Sequence, residues 1–523
     1  MKVKNYLTKP LLFVLLATVL LIVAACSSNE DTGNSEDVDQ GASEVEDDEK
    51  VLTIANATDI ESFDIHNNNN TISEAVLINV FDYLIKNDPD GNKVPGLATD
   101  WDNIDETSWR LTLRDDVVFH NGDAFTAKDV KFTLERVAQD SALSQYYLYQ
   151  EIDEVIIEDD YNVTIVTKNP DPIFINRLSR MGSGMLPADY IEENGFDHFL
   201  EEPIGTGPYQ FSSWTRDDRV ELVKNEDYYE GEVEWDAVVF RTIPEASTRV
   251  SELLVGGVDI IANVPVADMD RVAGEEGRSI ITAPTRRVLQ TILRHTDGYV
   301  TSDPIVREAI DLAIDKQAIV DSIAGGAGVL TRTSVTPGNF GADPSLYQQS
   351  VYDPEEAKRL LEEAGYTSED LEISFSSAAQ YGEYAEVIAA MLTEVGFTVN
   401  LDILEATAFY EQFNAKNFEE MFMIGIGNSL NDAANNYGRY LAEQAEDETD
   451  YDNPEVEELL QSALVNMDPE DRESQYQQVQ QIFAEERPSI YLFQMEGIYG
   501  VNDRLDYSPR EDEMFIVEEI SLD

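Results

Sequence analysis

The residue types that do chemistry are scarce in this chain of 523 residues: one cysteine, Cys26, and four histidines, His66, His120, His198 and His295. The histidines are far apart, and no two share a spacing from which one helix could present a metal pair. There is no G-x-S-x-G elbow, since "MGSGM" spaces its glycines wrongly, and no H-E-x-x-H, phosphate-binding loop or G-x-G-x-x-G turn. Carboxylates number 104 against 35 lysines and arginines, so carboxylate pairs occur everywhere and single out no acid–base site. A single thiol removes intrachain disulfides and Cys-based metal sites. These absences argue against an enzyme, and neither a metal nor an organic cofactor is expected.

Cys26 has a context. Lys2, Lys4 and Lys9 precede an apolar or small-residue run from Leu11 to Ala25. That run is shorter than the ~20 residues a spanning helix needs, so it reads as a secretory signal over residues 1–25. It ends in Val23-Ala24-Ala25-Cys26, which resembles the bacterial lipobox. The resemblance implies that Cys26 becomes a lipidated N-terminus carrying diacylglyceryl and palmitate-type chains. Residues 26–50 hold ten acidic residues, one lysine and no aromatic. They cannot bury enough apolar surface to order themselves, so they read as an acidic disordered tether. The expected location is the cell membrane, lipid-anchored on the extracellular or periplasmic face.

The remaining residues, from 51 on, are too many for one core, so more than one lobe is expected. Of the net charge of -69, the three leading lysines and the net -9 of residues 26–50 leave -63 on residues 51–523. A polyanion of that size repels phosphate backbones, which excludes nucleic acid as a partner. It suits a solvated surface in a salty medium.

Strand-like and helix-like segments alternate along the body. In "WRLTLRDDVVFHNGDAFTAKDVKFTLERV", Leu111 and Leu113 alternate with polar residues as in a half-buried strand. Asn121-Gly122 marks a turn, and Thr126 with Asp129 resembles a capping box ahead of a Val130, Leu134, Val137 stripe. Three helices begin with proline: "SDPIVREAIDLAIDKQAIVDSIAGG", expected to run to Gly325; "YDPEEAKRLLEEAGY", capped by Asp353 and closed by Gly365; and "DNPEVEELLQSAL", capped by Asn453. "NVTIVTK", "RVELVKN", "EISFSS", "TVNLDIL" and "SIYLFQM" read as strands, and "MFMIGI" as a buried one. The fold class is α/β.

Five blocks, "LRDDVVFHNGDAFTAKDVKFTL", "IGTGPYQFSSWTRDDRVELVKNEDYYEG", "VREAIDLAIDKQAIV", "YDPEEAKRLLEEAGY" and "MLTEVGFTVNLDIL", occur in this order. Together they resemble the family 5 extracellular solute-binding proteins of bacterial ABC importers, the peptide, nickel and glutathione type receptors. The resemblance implies a two-lobed periplasmic-binding-protein-like clamp, type II, of the large peptide-binding subclass, with a hinge and an extra subdomain in the first lobe. Lobe I would comprise residues 51–279 plus 489–523, and lobe II residues 280–488. The segments near "RSIITAPTRRVLQTIL" and "RPSIYLFQ" would be the hinge. The implied function is a monomeric substrate-binding lipoprotein that captures oligopeptides or glutathione-like peptides and delivers them to a permease and its ATPase. A receptor for nickel-chelate or opine-type solutes remains open, as do a secreted hydrolase and a signalling lipoprotein.

Dipeptide receptors of this kind place a ligand-binding Asp after a Gly-Trp pair. Here Gly425 is followed by Ile426, and Ser429 falls where that Asp would be. Asp432 is the nearest carboxylate and the expected receiver of a ligand ammonium. Gln380 and Tyr381 stand where the receptors carry an Arg for the peptide carboxylate. The polar stretch Asn428, Ser429, Asn431, Asp432 and Asn435 follows the buried strand and reads as cleft lining or as an ordinary surface loop. From the first lobe, Thr58, Asp59 and Glu61 follow the first strand and are candidates, with Tyr381 as an aromatic contact.

Overall fold

The computed structural model describes residues 50–523; the expectations for the signal, Cys26 and the rest of the tether lie outside the described residues. One mixed sheet of eleven strands organises the described chain. From one edge its order is Thr398–Leu404, Glu372–Ala378, Met421–Gly427, Arg278–Leu293, Ser489–Asn502, Ile260–Ile261, Val51–Asn56, Ala237–Thr242, Arg219–Lys224 and Tyr209–Thr215, with Gly328–Leu330 added on Ser489–Asn502. The two long strands in the middle pair antiparallel from Arg278 opposite Asn502 to Ile292 opposite Ser489.

Those two strands belong to two cores at once. Leu289, Ile292, Leu293, Leu492 and Phe493 pack with Ile310, Phe375, Ile388 and Phe422 in one core. Tyr499 and Val501, at the far end of the same strand, pack with Leu52, Phe81, Trp235 and Phe515 in another. The two long strands thus run from one apolar interior into another. A four-stranded antiparallel sheet, Ala98–Asp105, Ser108–Leu113, Asn162–Thr167 and Ile152–Asp159, forms the extra subdomain. The helix Ala127–Gln139 covers it, burying Val130, Leu134 and Val137 with Leu111 and Ile165.

The local signals work where they are local. Thr126 and Asp129 make the full capping box. Asp353 caps Pro354–Ala364, and Gly365 ends that helix at φ 87°, a left-handed conformation open to glycine. The helix expected to run unbroken to Gly325 is instead two, Pro304–Ala313 and Lys316–Ser322. Asp315 caps the second by accepting from Ala318 N at 3.0 Å, and Lys316 turns inward to a buried ion pair with Asp311 at 2.7 Å. A local cap and a buried pair outweigh the continuing apolar stripe.

The glycines of "IGTGPY" serve packing. A Cβ on Gly205 would lie 2.0 Å from the carbonyl oxygen of Val80, and one on Gly207 2.7 Å from it. His120 holds the same turn: its Nδ1 accepts from Gly205 N at 3.1 Å while Nε2 donates to the Gly207 carbonyl at 3.0 Å. Burial depresses its pKa to about 4, so the ring is neutral with the proton on Nε2. His120 and Gly205, 85 residues apart, therefore meet for structural reasons.

Candidate functional site

The loop after the buried strand Met421–Gly427 reaches residues more than 250 positions earlier in the chain. Leu430 is 3% exposed and inserts into the core of the extra subdomain. Its carbonyl accepts from Asn176 Nδ2 at 2.5 Å. Asn431, at φ 57°, donates from Nδ2 to the Gly91 carbonyl at 3.3 Å and accepts at Oδ1 from Arg286 Nη1 at 2.5 Å. Asparagine tolerates this left-handed backbone better than most residues, which lets its amide face outward from the loop. Gly91, at φ 86°, is also fixed by space, since a Cβ there would lie 2.5 Å from Arg286 Nη2.

Arg286 reaches this contact because the strand Arg278–Leu293 is irregular. Its register with Ser489–Asn502 shifts between Pro284 and Val288. Pro284 has no N–H to give the ladder, and bulges are where a strand tolerates this. The displaced residues bond elsewhere: Arg286 N donates to the Glu511 carbonyl at 2.9 Å, and Asn428 N donates to the Arg286 carbonyl at 3.0 Å. Arg287 pairs with Glu513 at 2.9 Å and donates to the Gly425 carbonyl at 3.2 Å.

The remaining loop candidates brace the loop itself. Asn428 Nδ2 donates to the Asp432 carbonyl and to Asn436 Oδ1, at 2.9 and 2.6 Å. Asn435 Oδ1 accepts from Ser429 N, Ser429 Oγ and Leu430 N at 3.0–3.1 Å. Asp432 corrects the expectation of a carboxylate free for a ligand ammonium. Both its oxygens are held by Arg472, at 2.6 and 2.7 Å, and the two side chains are 3% and 4% exposed. Oδ1 also accepts from Ala434 N at 2.9 Å, capping the short helix Ala433–Tyr437. The Arg472 guanidinium lies over the rings of Phe340 and Tyr476, which completes its enclosure.

Tyr381 is 7% exposed and packs in the second-lobe core; its hydroxyl stands 2.5 Å from where a Cβ on Gly425 would be. The first-lobe candidates sit elsewhere. Asp59 accepts from the Trp214 indole at 3.0 Å and from Asp217 N at 2.8 Å, beside the edge strand Tyr209–Thr215. Thr58 and Glu61 are exposed on the same loop. The described contacts do not bring these three together with Tyr381 or with the 428–435 loop, because the sheet order puts their strand partners at the opposite end.

Charged groups that the sequence reading missed gather beside Asn431. Lys93 donates to Asn87 Oδ1 at 2.6 Å and Ser179 Oγ at 3.1 Å. Burial, reinforced by the nearby Arg286 and Arg180, lowers its pKa to about 8. Arg180 is bonded to Glu74, whose carboxyl is pushed up by burial against the opposing pull of Arg180. Arg510 forks onto Asp512 and, despite burial, holds that carboxyl below its ordinary range. Glu74, Arg180, Arg510 and Asp512 line a cavity of about 310 Å³ whose other walls include Phe81, Val94 and Met514. The one sequence signal was the tandem Arg286-Arg287, in a chain where cations are outnumbered about three to one. Among the described residues no group of three His, Cys, Asp or Glu is arranged to hold a metal ion.

A family model for bacterial extracellular solute-binding proteins, family 5 Middle, matches residues 92–448. The chain belongs to that family. This family 5 protein is 28% identical over 462 residues to the glutathione-binding protein GsiB of Salmonella paratyphi A, covering 85% of this chain and 88% of the relative. It is 25% identical over 540 aligned positions to the oligopeptide-binding protein AppA of Bacillus subtilis, covering 97% and 98%. The solved structure of AppA with a nonapeptide superposes with a TM-score of 0.78 at 22% identity, over 91% of this chain and 99% of that one. The fold is thus the two-lobed type II clamp. In two of the five blocks that carried the resemblance, His120 and Gly205 serve the scaffold. No helix among the described residues is long and apolar enough to cross a membrane.

Proposed function

We propose that this family 5 protein is the receptor of an ABC importer for peptides, oligopeptides or glutathione-like ones, which it encloses between its lobes and hands to a permease and ATPase. The observation that carries the reading is the seating of Leu430 and Asn431 from the second lobe against Asn176 and Gly91 of the first. A clamp needs contacts made only when closed, and these two bonds with the buried Leu430 are of that kind. The similarity to a glutathione-binding and an oligopeptide-binding protein supports the ligand class.

Lobe I is taken as residues 51–279 plus 489–523 and lobe II as 280–488, with the crossing strands as hinge. Bending concentrates where the ladder is already interrupted, at Pro284 to Arg287. The protein acts as a monomer, held to the membrane by lipid on Cys26 through an acidic tether. Native mass spectrometry of the purified full chain tests the ligand reading. A co-purified peptide released intact on denaturation supports it. A bound solute of another class, or peptide cleaved on incubation, would contradict it.

A further inference from the structure

We infer that a small monovalent anion, chloride in a saline medium, is held in a pocket at the start of the strand Ser489–Asn502, between Lys316, Arg332, Arg487 and the Tyr491 hydroxyl. Such a site is independent of the peptide-receptor reading.

The pocket has a volume of about 10 Å³, room for one small ion or one water. Three cations line it, Lys316, Arg332 and Arg487, against a single carboxylate, Asp311. The chain as a whole has the opposite ratio, with 104 carboxylates to 35 lysines and arginines. Both oxygens of Asp311 are spoken for: Lys316 Nζ donates to Oδ1 at 2.7 Å and Arg487 Nε to Oδ2 at 3.1 Å. Arg487 also reaches Glu308, which stands outside the lining, at 3.2 Å. Arg332 comes no nearer to a carboxylate among the described residues than 4.0 Å, and it donates to the neutral Ala484 carbonyl. With Glu308 included, three positive charges face two negative ones.

Donors are left over as well as charge. The Lys316 side chain is 2% exposed and carries three N–H donors, of which Asp311 takes one; among the described residues nothing takes the others. The Tyr491 hydroxyl lines the same pocket, is closed off from solvent and has no hydrogen-bond partner among the described residues. Its neighbour Tyr440 is bonded to Ser489 Oγ at 2.7 Å, and with Tyr440 as donor the Ser489 hydroxyl proton is free to point into the pocket too. Buried donors without an acceptor are costly, and so is an uncompensated buried charge. A water would relieve this poorly, because it brings two protons of its own to a wall of lysine and arginine groups that accept none. An anion accepts from Lys316, Tyr491 and Ser489 together and supplies the missing negative charge. Arg332 and Arg487 keep 18% and 15% of their side chains in solvent, which leaves the ion a route in.

The walls come from the helices Pro304–Ala313, Lys316–Ser322 and Pro469–Glu486 and from the strand Ser489–Asn502, so a bound anion ties four elements together and stabilises the folded chain. Thermal melts of the full chain, with chloride replacing gluconate at constant total salt, test the site in solution. General screening is the same throughout such a series. Tyr491→Phe removes one donor to the ion and leaves every ion pair in place. The wild type is expected to gain melting temperature over the variant as chloride rises, and the variant to need about 10-fold more chloride or higher for half of its own gain, the loss of one hydrogen bond to a charged group. Anomalous diffraction from wild-type crystals grown in bromide supplies an arm free of folding effects, with a bromide peak expected between Lys316 Nζ and Tyr491 Oη. A gap between wild type and variant that does not change with chloride overturns the site, including the case of bromide bound in the crystal only. A water or an empty pocket in place of the bromide peak overturns it equally.

Discussion

Asp432→Asn separates two accounts of the second-lobe loop. Were Asp432 the ammonium receiver, its loss would weaken ligand binding and leave folding intact. The structure instead gives both carboxylate oxygens to Arg472 and leaves each side chain under 5% exposed. Asparagine retains one acceptor, so the cap on Ala434 N survives, but it removes the charge opposite a guanidinium that has no water to turn to. Breaking one half of a buried pair costs about 3–5 kcal/mol, against about 0.5–2 kcal/mol for a cap alone. Urea unfolding of the second lobe, followed by tyrosine fluorescence, should register a loss in the upper range. The paired replacement Asp432→Leu with Arg472→Met should recover most of it, since a well-packed apolar pair removes both desolvated charges. A single variant that unfolds like wild type yet binds peptide at least 10-fold more weakly would refute the assignment and restore Asp432 to the ligand.

Cys26→Ser is expected to leave the body folded and release it from the membrane, measured by fractionation after a high-salt wash; persistent membrane association of the variant contradicts the anchor. Gly205→Ala is expected to destabilise the first lobe by at least about 2 kcal/mol, because the new methyl meets the Val80 carbonyl at 2.0 Å; Gly231→Ala, where no atom lies within 4 Å, is the control for its positive φ rather than for space. His66 is buried, donates from Nε2 to the Gly182 carbonyl and accepts at Nδ1 from Arg136, so burial and then Arg136 depress its pKa to about 3. Its folded pKa lies below the unfolded 6.5, so the unfolded chain takes up the proton first. The stability it contributes is full above pH 6.5 and is lost as pH falls towards 3; the gap in unfolding free energy between wild type and His66→Gln should narrow between pH 7 and pH 4.5.

The fold was legible where the deciding interaction lies within a few residues. Asp353 with Pro354, Thr126 with Asp129, and Gly365 all announce helix ends that the structure keeps. The break after Ala313 was not legible, because Lys316 turns inward to an aspartate whose burial depends on packing from outside the segment. The site follows the same division. The sequence offered the polar stretch after "MFMIGI" as cleft lining or as an ordinary surface loop, because it follows a buried strand. It did not divide the loop's labour: the partner of Asp432 lies 40 residues downstream, while Leu430 and Asn431 make the contacts to Asn176 and Gly91. Lys93 and Arg180 carried no sequence signal, because their meaning comes from proximity between elements far apart in sequence.

Closure around a peptide is the central claim, and a spin–spin distance between the lobes measures it directly. Labels at Asp90 and Ser474, both exposed, in a Cys26→Ser background would report the separation of the Gly91 turn from the second lobe. Saturating the clamp with the peptide identified by native mass spectrometry should convert a broad, long distance distribution into a narrow, shorter one, and replacing Asn431 with alanine should shift the balance back towards the open form. A distribution that is the same with and without bound peptide would contradict the clamp.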